Sequence, residues 1–391
     1  MPYNFDEIID RQNTNSLKYD FALERGMPED LLPLWVADMD FRTPPAVVDA
    51  LVKAAQHGIF GYSDAKDDYF HAVQSWLIRR LGWQVEKDWL IKAPGVVFAI
   101  ANSVRALTKP GDAVIIQQPV YYPFESVVRV NSRRLVVNEL RYTDGQYYID
   151  FADFEAKVVA SQVKLFILCN PHNPVGRVWT RAELEQLGEI CLRHQVRVIA
   201  DEIHADFIYP GCRHEVFANL RPEFAAITVT CTAPSKTFNL AGLQVSNLFA
   251  SNRKIKHAVI HEIHCSGYSQ LNTLGLIACQ AAYEHGAAWL DELLLYLQGN
   301  LTYIREFLQE RLPEIRLVEP QGTYLAWLDC SGLGLSEAER QDLIVRRAKL
   351  WLDKGSMFGA GGEHFERINY ACPRKVLEQA LERLEQAVRE K

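Results

Sequence analysis

Seven short apolar runs punctuate residues 89–250: Trp89–Lys92, Asp112–Gln117, Arg134–Leu140, Lys164–Cys169, Val196–Ala200, Ala226–Cys231 and Asn247–Ala250. Runs this short and this continuous read as strands covered on both faces. Segments of helical period lie between or before them, at Ala46–His57, Asp67–Leu81 and Val96 to about Leu107. Another starts after Thr180, which has Glu183 at capping-box spacing, and reaches about Arg193. The alternation predicts an α/β fold, a mostly parallel seven-stranded-type sheet sandwiched by helices. Residues 252–312 read as mainly helical, with a long helix from about Trp289 to Leu312. After Pro313 the pattern changes. Strands are expected at Arg316–Glu319, Tyr324–Asp329 and Glu366–Ala371, and helices at Ser336–Leu350 and Arg374–Arg389. This predicts a smaller α+β domain joined by the irregular N-terminal segment. The expected division is 46–288 for the large domain and 1–45 with 289–391 for the small one.

Composition narrows the function more than the fold. At 391 residues the chain exceeds what one core usually serves. The net charge of −7 supplies no basic field for nucleic acid. No run is long and apolar enough to span a membrane, and Met1–Asp10 lacks the pattern of a secretory signal. The eight cysteines include no Cys-x-x-Cys spacing, so they read as reduced thiols and not as a zinc site or disulfide frame. No metal is expected, and the cytoplasm is the default compartment.

The candidate chemistry gathers where strands end, the position at which open α/β sheets bind ligands. Lys236 follows the run Ala226–Cys231 in a loop of small and hydroxyl residues, Ala233-Pro234-Ser235-Lys236-Thr237. A lysine taken out of water loses proton affinity and becomes an amine nucleophile. Pyridoxal phosphate is the commonest aldehyde for such a lysine. Most loop lysines are simply solvated, so the assignment needs further parts. Gly95 leads into the helix starting at Val96 and Val97, whose free N–H groups suit a phosphate. Asp201, at the end of Val196–Ala200, is a carboxylate suited to a protonated pyridine nitrogen, whereas Glu202 should face the other way. Asn173 and His204 are donors for the phenolic oxygen of the ring, although Asn173 also suits a plain turn and His204 a satisfied core histidine. Tyr121 is placed to stack on the ring. Arg367, on an expected strand of the small domain, is a bidentate partner for a substrate carboxylate; the competing reading pairs it with Glu363 or Glu366.

In chain order, Pro94-Gly95 before a helix, Tyr121 after Pro119, Asn173-Pro174-Val175-Gly176, Asp201 to His204, Ser235-Lys236 and Arg367-Ile368-Asn369 resemble the aminotransferase class I/II family of fold-type I pyridoxal phosphate enzymes. The resemblance spans nearly the whole chain. It implies that Lys236 carries the cofactor, Asp201 pairs with the pyridine nitrogen, Asn173 contacts the phenolic oxygen, Tyr121 stacks and Arg367 binds the substrate carboxylate. It also implies that Tyr62 reaches the phosphate of a neighbouring subunit in a homodimer. Leu34-Trp35-Val36-Ala37-Asp38-Met39-Asp40-Phe41, Tyr121-Tyr122-Pro123-Phe124, Asp201-Glu202-Ile203-His204 and Ala233 to Gln244 resemble the cystathionine β-lyase/C–S lyase branch. Ala233 and Gln244 depart from the wider pattern, which has a serine and an arginine there for the phosphate. Ser235 and Lys236, helix N–H groups and Tyr62 are left to offset its charge.

The expected reaction is α,β-elimination from cystathionine or a related cysteine S-conjugate, giving a thiol such as homocysteine, pyruvate and ammonia. Lys236 is the expected base at Cα, and Lys236 or Tyr121 the proton donor to sulfur. Trp35, Tyr122 and Phe358 are candidates for the pocket wall. An aminotransferase would use the same residues, and a regulatory protein-binding role on the same fold is a second alternative.

Overall fold

The computed structural model describes residues 3–390, so Met1 and Pro2 of the Met1–Asp10 reading, and Lys391 at the far end of the predicted small domain, lie outside it. A seven-stranded sheet runs in the spatial order Leu90–Ala93, Ser246–Phe249, Thr228–Thr232, Arg197–Asp201, Leu165–Cys169, Ala113–Gln118, Arg134–Glu139. Ser246–Phe249 is antiparallel to both of its neighbours, and the other pairings are parallel. The predicted strands hold to within two residues. The last of them in sequence lies inside the sheet, antiparallel to it.

Period-two alternation explains the two layers. Ile115, Phe166, Leu168, Val198 and Ala200 face one core, with Phe154, Leu184 and Leu187 from helices Phe151–Ser161 and Arg181–Arg193. Their neighbours Ile116, Ile167, Ile199 and Val229 face the other, with Ile100 and Val104 of Val96–Leu107 and Val259 of Arg253–Cys265. A strand covered on both faces has no polar side to show, which is why these runs are continuous.

Register aligns the strand ends. Cys169 stands beside Asp201 and Asp201 beside Cys231, while Ser246–Phe249 sets Asn247 against Thr232 and Ser246 against Ala93. The segments following Ala93, Cys169, Asp201 and Thr232 therefore emerge at one edge.

The C-terminal part carries an antiparallel sheet in the order Arg316–Val318, Leu325–Asp329, Phe365–Asn369, Asp353–Lys354. The long helix Ala287–Arg311 buries Trp289, Leu293, Leu297, Leu301, Ile304 and Leu308, one stripe at helical spacing. The stripe shares a core with Leu377, Leu381 and Leu384 of the helix Arg374–Arg389. The N-terminal segment is laced to this part. Leu32–Pro33 pairs with Leu350–Trp351, Asn369 N–H donates to the Leu34 carbonyl at 2.9 Å, and Asp40 N–H donates to the Ala371 carbonyl at 2.9 Å.

Four features differ from expectation. Helices Pro123–Val130 and Phe151–Ser161 and the hairpin Arg141–Thr143 with Gln146–Tyr148 were not predicted. Both helices are short and rest on tertiary burial, of Phe124, Val127 and Val128 in one and Phe154 and Val158 in the other. The helix expected over Ser336–Leu350 keeps α geometry only to Gln341. It widens into a π turn over Asp342–Arg347 and gives way to the strand Leu350–Trp351. Arg340 is pinned to Glu366 and the adjacent Leu343 and Ile344 are both buried, a pairing that a wider turn accommodates.

Candidate active site

The strand-end loops and the N-terminal string Trp35–Phe41 enclose a cavity of about 200 Å³. Trp35, Tyr121, Tyr122, Asn173, Asp201, His204, Lys236 and Arg367 all line it. These eight predicted residues come from six separate stretches of chain, brought together by strand register and by the Trp35–Phe41 string.

Lys236 lies in the short helix Pro234–Thr237 that begins after Thr228–Thr232. Its side chain keeps some surface, which opens onto the cavity. The Nζ donates to the Ala37 carbonyl at 2.8 Å. The Tyr324 hydroxyl donates to the same carbonyl at 2.9 Å. Burial pushes the amine down to about 8; Asp38 opposes the shift and Arg367 adds to it. Asn239, left-handed at φ 58°, ties the lysine loop to the string, accepting from Met39 N–H and donating to the Met39 and Phe41 carbonyls, each at 2.9 Å.

Asp201 is buried, and its Oδ1 accepts the Ile203 N–H at 3.3 Å. Burial raises its carboxyl to about 7, against the pull of that N–H and of Lys236. A carboxylate so placed favours a nearby cation. Glu202 faces the other way, as expected, bonded to His214 at 2.9 Å and to the Phe217 N–H at 3.0 Å. His204 is buried with an unpartnered Nδ1, and burial lowers its proton affinity, so its ring is neutral. Burial raises the Tyr121 hydroxyl, which therefore keeps its proton.

Arg367 is held on three sides. Its Nη1 donates to Asn173 Oδ1 at 3.0 Å, and Nη2 to the Trp35 carbonyl at 2.8 Å and to Asp353. The guanidinium lies 4.9 Å from the centre of the Phe358 ring. Nε is buried without a partner. The competing ion pair thus exists, but with Asp353 and not with Glu363 or Glu366. The register sets Asp353 opposite Arg367, while Glu366 points to the other face and pairs with Arg340 at 2.7 Å. Phe358 backs Arg367 and is not among the cavity's lining residues.

The loop carrying Asn173 needs Gly176, which is left-handed at φ 72° and would set a Cβ 2.8 Å from Pro320. The Gly176 carbonyl accepts the Gln321 and Gly322 N–H groups, which fixes this loop against the chain entering the small sheet.

Gly95, Val96, Val97, Ser235 and Tyr62 do not line this cavity. Gly95 to Val97 open the helix Val96–Leu107 at the same sheet edge, and no side chain among the described residues caps its first N–H groups. Ala233 is buried and Gln244, at φ 48°, points into solvent, so neither brings charge to that edge. Tyr62 is 99% exposed, beside exposed Ile59 and Phe60. Sequence reasoning missed Asp353, Leu17, Arg25, Cys169 and the Ala37 carbonyl as cavity parts. The unusual string around Trp35 was the available signal for the last of these.

The donor set fits pyridoxal phosphate: an amine of lowered basicity, a carboxylate that needs a cation, neutral donors beside it and an uncapped helix start for a dianion. Among the described residues no helix is long and apolar enough to cross a membrane, and no cluster of His, Cys, Asp or Glu could hold a metal ion.

Residues 29–384 match the family model described as Aminotransferase class I and II. The chain is 44% identical to cystathionine beta-lyase PatB of Bacillus subtilis, over 98% of this chain and 100% of that protein. Its fold superposes on cystalysin from Treponema denticola, which contains a pyridoxal 5'-phosphate cofactor, with a TM-score of 0.96, 37% identity and full coverage of both chains. It also superposes on the PLP-bound C–S lyase from Staphylococcus hominis, with a TM-score of 0.92 and 34% identity over 99% of this chain and 98% of that one.

Proposed function

The chain belongs to the aminotransferase class I and II family, and from that premise we propose that it is a pyridoxal-phosphate-dependent C–S β-lyase. Its substrate is cystathionine or a related cysteine S-conjugate, and its products are a thiol, pyruvate and ammonia. The reaction class rests on one observation: Lys236, bonded to no carboxylate among the described residues, shares a cavity with Asp201 and Arg367. Full-length similarity to a cystathionine β-lyase and to C–S lyases favours elimination over transamination.

The bound cofactor supplies an aldehyde for attachment and an electron sink for the carbanion. The protein supplies the rest. Arg367, fixed by Asp353, Asn173 and Trp35, presents its two remaining N–H donors, on Nε and Nη1, to the substrate carboxylate. That anchor sets the Cα–H bond toward Lys236, whose Nζ removes the proton. Asp201 keeps a proton on the pyridine nitrogen. Asn173, through its N–H₂ group, and His204 would hold the phenolic oxygen. Tyr121 would pack against the ring. Two groups hold a proton for the departing sulfur: Lys236, once it has taken the Cα proton, and the Tyr121 hydroxyl. Trp35 and Tyr122 form the wall on the substrate side. The N–H groups of Gly95, Val96 and Val97, Ser235, and Tyr62 of a second copy would hold the phosphate, in a homodimer. The exposed run around Phe60 and Tyr62 supports such an interface. The lacing of the N-terminal segment to the C-terminal sheet supports the division into 46–288 and 1–45 with 289–391. All eight cysteines are free, which fits a reducing compartment, the cytoplasm.

The test is to incubate the holoenzyme with cystathionine, and separately with an amino acid plus a keto acid. Thiol and pyruvate in equal amounts, with no keto acid added, are expected. Turnover only in the presence of an acceptor would show an aminotransferase.

A further inference from the structure

A second guanidinium stands at the mouth of the Lys236 cavity. Arg25 ends the short turn Leu23–Arg25, after which Gly26 reverses the chain at φ 71°. It lies on the cavity wall with Leu17, Trp35 and Tyr122. This is the open side, since Arg25, Leu17 and Tyr122 are exposed while Asp201 and His204 behind them are buried.

Arg25 is held by stacking alone. Its guanidinium carbon lies 4.9 Å from the centre of the Trp35 ring. That ring is stacked on Trp351 at 4.4 Å with the planes 9° apart, and its Nε1–H donates to the Lys18 carbonyl at 3.4 Å. The platform is therefore rigid. No carboxylate among the described residues pairs with Arg25; of the two acids that line the cavity, Asp353 is engaged by Arg367 and Asp201 is buried. An arginine stacked on an aromatic keeps its fork of N–H donors free, the form suited to a carboxylate.

Trp35 joins the two guanidinium groups. Its carbonyl accepts from Arg367 and its ring carries Arg25. A substrate anchored by its α-carboxylate at Arg367, with Cα facing Lys236, has only the open side for its sulfur substituent. The far end of that substituent then meets Arg25.

We infer that Arg25 determines substrate choice by binding a carboxylate at the far end of the sulfur substituent. S-conjugates that end in a carboxylate, as cystathionine does, are then preferred over S-alkyl cysteines. The inference rests on the C–S lyase reading above. A plain surface stacking contact would give Arg25 the same geometry without the preference.

The experiment compares kcat/KM for L-cystathionine and S-ethyl-L-cysteine in the wild-type holoenzyme, Arg25→Met and Arg25→Lys. In Arg25→Met the cystathionine-to-ethylcysteine ratio should fall about tenfold, the effect of losing one charge-assisted contact. The fall should lie in KM, and Arg25→Lys should recover part of it. Unchanged cofactor absorbance shows that the variants are folded and loaded. A ratio that stays the same in all three proteins overturns the assignment of Arg25 alone. Absence of pyruvate from both substrates with the wild-type enzyme overturns the lyase reading, and this inference with it.

Discussion

Two lysines reach the string Trp35–Phe41, and their surroundings give them opposite characters. Lys18 is fully enclosed and meets Asp40 at 2.7 Å, with Asp38 at 3.9 Å. Arg11 closes the cluster, bonding Asp38 at 2.6 Å and Asp40 at 2.7 Å. Lys236 meets the Ala37 carbonyl instead, and burial lowers its amine to about 8. A buried cation with a carboxylate is a structural fastener, and removing one partner strands the other. An amine without one can change its charge near neutral pH, which a nucleophile or base must do. The distinction lies in what the string offers each lysine: side-chain acids to one, a backbone carbonyl to the other.

The largest test of this contrast is Lys236→Met. Turnover should drop at least about 10³-fold, as expected for loss of a group that acts covalently and as a base. The melting temperature of the cofactor-free protein should hold or rise, because the substitution removes a poorly solvated amine. Lys18→Met should do the reverse. It leaves Asp40 with Arg11 alone and should destabilise the cofactor-free protein by about 3 kcal/mol, read from the denaturant midpoint. Equal stability losses in the two variants would erase the contrast. The smallest effect is in pH. Below about 8 Lys236 is an ammonium and cannot attack an aldehyde; above it the amine is neutral. Cofactor capture by the cofactor-free protein, followed by absorbance, should therefore quicken about tenfold from pH 7 to pH 9. A rise centred near the ordinary lysine value would remove the sheltered environment from the account.

What was legible in the sequence was set by how locally each feature is encoded. Asp201, Asn173, Tyr121 and Lys236 stand just past continuous apolar runs, so the parallel sheet announces both their positions and their common edge. Arg367 was legible from its place on an expected strand of the small domain, but its partner was not. Asp353 meets it across a strand pairing that only a two-residue strand provides. Glu366 was the nearer acid in sequence and the wrong one in space, since adjacent strand residues face opposite ways. The Ala37 carbonyl was marked only by the string around it, because a backbone atom has no letter of its own. The string around it was conspicuous for the same physical reason that it matters. Leu34, Met39 and Phe41 bury it, while Asp38 and Asp40 are caught by Arg11 and Lys18.

The assignment of Lys236 as the reacting lysine has a direct chemical test. Reduce the holoenzyme with borohydride, digest it and locate the phosphopyridoxyl group by mass spectrometry. The label is expected on the peptide that contains Ser235-Lys236-Thr237, at Lys236 and in near-stoichiometric yield. A label at Lys18 or any other lysine, or no covalent label at all, would contradict it.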